Sequence, residues 1–95
     1  MADQGNSEIT AAQAAQVGLR QIAELTGKEA EGVTGIRPTD EGWLVTVEVI
    51  EDRRVPSSSD VLATYEIETD LDGELISYHR DRRYSRGHGA DSGSG

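Results

Sequence analysis

Few side chains in this 95-residue chain have the types and spacing for chemistry. His79 and His88 are the two groups that titrate near neutral pH, and so the natural general bases. His79 sits inside an alternating, strand-like run, and His88 in a glycine- and serine-rich tail. Neither has a second ligand at the helical spacing of a zinc hydrolase. Ser57–Ser58–Ser59 falls in a loop by composition, without the G-x-S-x-G turn that exposes a nucleophilic serine. Carboxylates are paired at Asp40/Glu41, Glu51/Asp52, Glu66/Glu68 and Asp70/Asp72. Hydrolysis by two carboxylates needs a cleft that drives their pKa values apart. With 18 acidic residues, such pairs arise by number alone. Asp70–Leu71–Asp72–Gly73 has the opening of a calcium loop, but neither the flanking helices nor the distal glutamate. With no cysteine, a disulfide framework, a thiolate zinc site and a cysteine nucleophile are excluded. No glycine-rich phosphate loop is present. The residues therefore predict a protein that is not an enzyme, with no catalytic residues, no cofactor and no metal.

Charge says more. The formal net charge is −9, which argues against binding nucleic acid or an anionic membrane over the whole surface. Yet four of the nine basic residues lie between Arg80 and Arg86, with Asp81 alone against them. Two readings of that run stand open. Its arginines face the acids of neighbouring strands, or they form a docking surface for an acidic partner. Tyr84 among them resembles a stacking platform for single strands, but the acidic body speaks against nucleic acid. The first residues lack the basic and apolar regions of a signal peptide, and no apolar run approaches a membrane span. A cytoplasmic protein with no membrane partner is expected.

These residues must be positioned by an α+β fold, one N-terminal helix packed on a four-stranded antiparallel meander, α-β-β-β-β. Residues 1–7 are polar and expected to be disordered; 8–86 form one domain; 87–95 are a disordered Gly/Ser-rich tail. Ser7 or Thr10 caps the helix. Ala12, Ala15, Leu19, Ile22 and Ala23 give its apolar stripe, and Gly27 ends it. Val33 to Thr39 reads as a short edge strand, limited by Pro38. After a turn at Asp40–Glu41–Gly42 comes the central strand, Trp43 to Arg53. There Trp43, Val45, Val47 and Val49 share the buried face and Leu44, Thr46, Glu48 and Ile50 the other. Val55 to Asp60 is a loop, and Val61 to Thr69 the third strand, with Ala63, Tyr65 and Ile67 on one face. The turn at Asp70–Gly73 leads into the fourth strand, Glu74 to Arg86. A three-residue loop there places Glu66 opposite Tyr78 and Thr64 opposite Arg80, with Glu66 and Arg80 diagonal neighbours. The uncovered edge at Val33–Thr39 leaves a homodimer by strand addition open.

Several spaced residues together resemble the gas vesicle protein O family. They include Leu25–Thr26–Gly27, Gly42–Trp43, Val47–Glu48–Val49, Arg53–Arg54–Val55–Pro56, Asp60–Val61–Leu62–Ala63, Tyr65–Glu66, Asp72–Gly73–Glu74–Leu75, Tyr78, Arg80 and Arg82–Arg83–Tyr84. The resemblance implies an accessory role in assembling gas vesicles through contacts with other gas vesicle proteins, accessory and possibly shell proteins, and a location at the vesicle. The resemblance implies long charged N-terminal extensions in some relatives, whereas a few polar residues precede the expected helix in this sequence. Candidate contact residues are Arg53, Arg54, Pro56, Asp60, Tyr65, Glu66, Tyr78, Arg80, Arg82, Arg83 and Tyr84. Their arginines suit bidentate bonds to carboxylates and their tyrosines add apolar area. The alternative is a small ligand- or protein-binding module, cystatin-like or PepSY-like, unrelated to gas vesicles.

Overall fold

The computed structural model describes residues 8–86, so the disorder expected of both tails, Ser7 as a cap and His88 lie outside the described residues. Helix α1 spans Ala11–Thr26 and is followed by strands β1 (Glu29–Pro38), β2 (Gly42–Asp52), β3 (Val61–Asp70) and β4 (Leu75–Ser85), with a short 3-10 turn at Ser57–Ser59. The strands form one antiparallel sheet in the order β1-β2-β3-β4. This is the α-β-β-β-β arrangement read from the sequence.

Thr10 is the cap. Its hydroxyl accepts from the Gln13 N–H, and the Gln13 side chain accepts in turn from the Thr10 N–H, a reciprocal pair that satisfies two free donors of the first turn. Gly27, at φ 71°, takes the left-handed conformation that closes the helix, and its N–H reaches the Ala23 carbonyl.

The expected apolar stripe is displaced. Ala14, Gly18 and Ile22, spaced by four residues, are the buried ones, while Ala12 and Ala23 are exposed. The reason is steric. A Cβ at Gly18 would sit 2.8 Å from Val45 Cγ1, so the helix backbone lies directly on β2. Only the glycine face permits that approach; an alanine face would hold the two apart.

Below it, Val45, Val47, Val49, Ala63, Tyr65 and Ile67 form the buried cluster with Ala14 and Ile22. Cross-strand pairing explains their grouping. Ile36, Val45 and Ile67 lie in one row, and Val33, Val47 and Tyr65 in the next. Helix α1 packs mainly on β1 and β2 and less on β3, while Ile9 and Val17 lie against Gly73 in the turn between β3 and β4.

Three further expectations are corrected. β1 begins at Glu29 rather than Val33, because irregularities between Ala30 and Gly32 and between Val33 and Gly35 absorb residues with no alternating pattern. β2 ends at Asp52, with an irregularity after Ile50 that leaves Glu51 as the extra residue. In the β3–β4 pair, Asp70 N–H does meet the Glu74 carbonyl, but a bulge at Ile76 shifts everything beyond it. Glu66 therefore faces His79, not Tyr78, and a second bulge at Asp81 puts Thr64 opposite Arg82, not Arg80.

The Gly18 contact generates a direct test. Gly18→Leu is expected to lower stability by roughly 1–3 kcal/mol through overpacking, a fall in Tm of several to about 20 °C for a domain of this size. Gly32, whose added Cβ would meet nothing within 4 Å, serves as control. Equal melting of Gly18→Leu and Gly32→Ala would show that the helix does not rest on Val45.

Candidate functional site

β4 places more of the candidate residues than any other element. From Ile76 to Arg83 it is exposed on both faces. Register assigns its side chains. Tyr78 pairs with Ile67, Arg80 with Tyr65 and Arg83 with Ala63, so these three share the face on which α1 lies. His79, Arg82 and Tyr84 pair with Glu66, Thr64 and Leu62 and share the opposite, open face.

On the helix side the organiser is Glu51, with a side chain only 9% exposed. It stands one residue past the alternating run of β2, where the irregularity turns it toward β3 and β4. Arg80 donates to both its oxygens at 3.2 Å, Arg83 Nε donates at 3.0 Å, and the Tyr65 hydroxyl donates at 3.3 Å. Burial works to raise the Glu51 pKa; the two guanidinium hydrogen bonds and the charges of Arg80 and Lys28 outweigh it, and the net shift is downward. Burial and the neighbouring Glu51 charge hold the Tyr65 hydroxyl above its ordinary value. Tyr78 packs against Tyr65 with ring centroids 6.4 Å apart and remains 39% exposed.

On the open face, Ile50, Leu62 and Tyr84 form a row in register, with Ile50 and Leu62 buried. The Tyr84 hydroxyl donates to Glu48, which ties the end of β4 across to β2, and the Arg82 guanidinium lies 5.3 Å from the Tyr84 ring centroid. Glu66 Oε1 lies 3.3 Å from His79 Nε2. Glu66, His79 and Asp81 each bring one ligand atom within 4.8 Å of the others, a set of two carboxylates and an imidazole able to hold a divalent ion. Spacing along the chain did not reveal it, since its members come from two strands and a bulge.

The remaining candidates sit at the far end of the sheet. Asp60 is buried and orders the loop between β2 and β3, accepting from the Arg54 N–H at 2.7 Å and from Arg86 Nη2 at 3.4 Å. Pro56, after a cis peptide bond, and Val55 project into solvent. Arg54 pairs with Asp52 at 2.8 Å, and Arg53 pairs with Glu29, which holds the Arg53 pKa above its ordinary value.

The structure thus brings together Tyr65, Tyr78, Arg80 and Arg83 on one face and Glu66, Arg82 and Tyr84 on the other. Arg53, Arg54, Pro56 and Asp60 stand apart from the first group. The sequence marked Glu51 as half of a carboxylate pair but not as a contact residue, because its burial depends on a bulge that alternation cannot announce. Arg80 pairs with Glu51 rather than with Glu66, as the register shift requires.

Among proteins of known sequence, the family model described as gas vesicle synthesis protein GvpO matches residues 1–90. Gas vesicle protein O of Streptomyces sp. (strain CB03234) is 54% identical over 67 residues, covering 70% of this chain and 52% of the relative. Gas vesicle protein O1 of Halobacterium salinarum is 38% identical over 74 residues, covering 77% of this chain and 62% of the relative. Gas vesicle protein O of Haloferax mediterranei is 39% identical over 75 residues, covering 77% and 54%. The chain thus spans about half to three-fifths of these relatives' lengths. No solved structure matches it.

The Glu51 cluster sets a pH dependence. A carboxylate whose folded pKa is depressed stabilises fully above its unfolded value, about 4.3, and loses that contribution as pH falls through the folded value. Glu51→Gln is expected to reduce stability at pH 7 by roughly 1–2 kcal/mol, below the ~3–5 kcal/mol of fully buried pairs because both arginines can turn to solvent. It should also flatten the loss of stability on acidification below about pH 4.5. Urea unfolding at pH 7 and pH 3.5 checks both; an unchanged difference between the two pH values would remove Glu51 from the account.

Proposed function

Because the chain belongs to the gas vesicle synthesis protein GvpO family, we propose that it takes part in forming gas vesicles as a non-enzymatic accessory protein. It does so in the cytoplasm, through contacts with other gas vesicle proteins. One observation carries the contact mechanism. β4 is exposed on both faces from Ile76 to Arg83, with Arg80, Arg82 and Arg83 along it, in a chain of net charge −9. A strand that buries so little of itself adds little to a core. Its worth lies in what it presents, and clustered guanidinium groups with adjoining tyrosines are the residue types that anchor protein interfaces.

The chemistry of these residues favours this reading over catalysis. The carboxylate most strongly held by its surroundings, Glu51, is shifted downward by arginines, the opposite of what a general acid needs. His79 is exposed and faces Glu66. Kinship with gas vesicle relatives weighs against a binding module unrelated to gas vesicles.

The test is genetic and biochemical. Removing the coding gene from a gas vesicle-forming host is expected to reduce vesicles counted by electron microscopy at least tenfold, with restoration by the intact gene. Normal vesicle numbers after removal would overturn the proposal. Arg82 lies over Tyr84 on the open face and is exposed, so Arg82→Glu is expected to leave Tm within about 2 °C, as surface substitutions do. It should lower co-purification of the other gas vesicle proteins several-fold. Unchanged co-purification would take Arg82 out of the contact.

A further inference from the structure

One cluster of ligating side chains takes no part in the contacts argued above. Glu66 comes from β3, and His79 and Asp81 come from β4. His79 stands opposite Glu66 in the register, and Asp81, the extra residue of the second bulge, brings its carboxylate to the same place. One ligand atom from each lies within 4.8 Å of the other two. Asp81 sits inside the arginine run, yet its three basic neighbours are directed elsewhere. Arg80 and Arg83 hold Glu51 on the helix side, and the Arg82 guanidinium lies over the Tyr84 ring. The acid is turned instead toward an imidazole and a second acid. Glu48 and Glu68 lie on the same open face as Glu66, by register and alternation, so the local field there favours a cation.

We infer that Glu66, His79 and Asp81 form a surface binding site for a divalent ion of the zinc type where β3 meets β4. The donor set fixes the class. An imidazole selects zinc and the neighbouring transition metals over magnesium and calcium, which take oxygen ligands. Two carboxylates beside it balance the charge of the ion. The geometry agrees. Zinc takes imidazole nitrogen and carboxylate oxygen at about 2.0–2.2 Å in a tetrahedron, which sets its donors about 3.3–3.6 Å apart. Glu66 Oε1 and His79 Nε2 already stand 3.3 Å apart. Asp81 is exposed, so rotation about its side-chain bonds closes the remaining distance. Three protein ligands leave the fourth position to water, and the His79 side chain is 60% exposed, so water reaches it. The ion then links β3 to β4 on the stretch between the bulges at Ile76 and Asp81, where regular pairing is interrupted at both ends. This site stands apart from the gas vesicle reading, and neither depends on the other.

Isothermal titration calorimetry of the full chain, free of any purification tag, tests the site with zinc chloride as the probe. One zinc per chain is expected, with a Kd of about 10 µM or tighter, and saturation should raise Tm because only the folded chain assembles the three ligands. His79→Gln and Asp81→Asn, both at exposed positions, should each weaken binding at least tenfold while leaving the Tm of the ion-free chain within about 2 °C. Two controls should keep Kd within twofold. Glu68→Gln removes a charge from the same face outside the set, and His88→Gln removes the other histidine of the chain. In NMR spectra, zinc should shift the ring nitrogen signals of His79. Calcium chloride is expected to bind at least a hundredfold more weakly. Unchanged binding in His79→Gln overturns the inference, since the ion would then sit elsewhere. So does equal weakening by Glu68→Gln and Asp81→Asn, or zinc uptake without a single saturable site, either of which would mark a general attraction of cations to an acidic chain. Calcium held as tightly as zinc overturns it too, because the imidazole would then contribute nothing.

Discussion

The contact on which the rest depends is Gly18 against Val45. A helix lies close to a sheet only where its side chains allow it, and here the allowance is a missing methyl group at the centre of the buried face. That contact sets the helix over β2, and its weight then falls on β1, with little on β3. The burial pattern follows. β2 and β3 are covered along their inner faces, whereas β4 is left in solvent. The placing of one glycine therefore decides which strand belongs to the core and which to the surface.

At the boundary between the two, the structure spends charge rather than apolar area. Glu51 is drawn in beneath Arg80 and Arg83 and beside the Tyr65 hydroxyl, so the edge of the core is a hydrogen-bonded carboxylate with two half-exposed guanidinium groups around it. Such a cluster orients long side chains that would otherwise sample many rotamers. On the other face the Tyr84–Glu48 hydrogen bond does similar work, pinning the end of β4 over Ile50 and Leu62. β4 is thus anchored at its base while its surface stays open.

How much of this could be read from the residues differs by level. The helix, its Thr10 and Gly27 ends, four strands, both tight turns and the inner faces of β2 and β3 were legible, because capping, glycine placement and alternation are local signals. The helix stripe was misplaced because Gly18 contributes through absent volume, and a hydrophobic pattern counts what is present. Register beyond the last turn was missed through extra residues at Ile76 and Asp81, since each bulge moves every later pair. The candidate site inherited both effects. Its tyrosines and arginines were named from their types, but the partners of Arg80 and Arg83 were not, because Glu51 is 29 and 32 positions away and turns inward only through a bulge. Of the two readings of the arginine run, pairing with acids of the same chain holds for Arg80, Arg83 and Arg86. The exposed area those pairs leave is what a partner would meet.

The bulges have an effect on the solution behaviour of the chain. Both outer strands are irregular, β1 near Glu31 and Thr34 and β4 at Ile76 and Asp81. An edge with even spacing is a template on which further strands register one after another, in fibrils as in sheets. Here each edge falls out of step within a few residues, and Pro38 withholds a donor at the end of β1. These irregularities and Pro38 weaken both edges as templates for further strands. A chain at high local concentration gains from this geometry, since it is less readily drawn into a β-stack of its own.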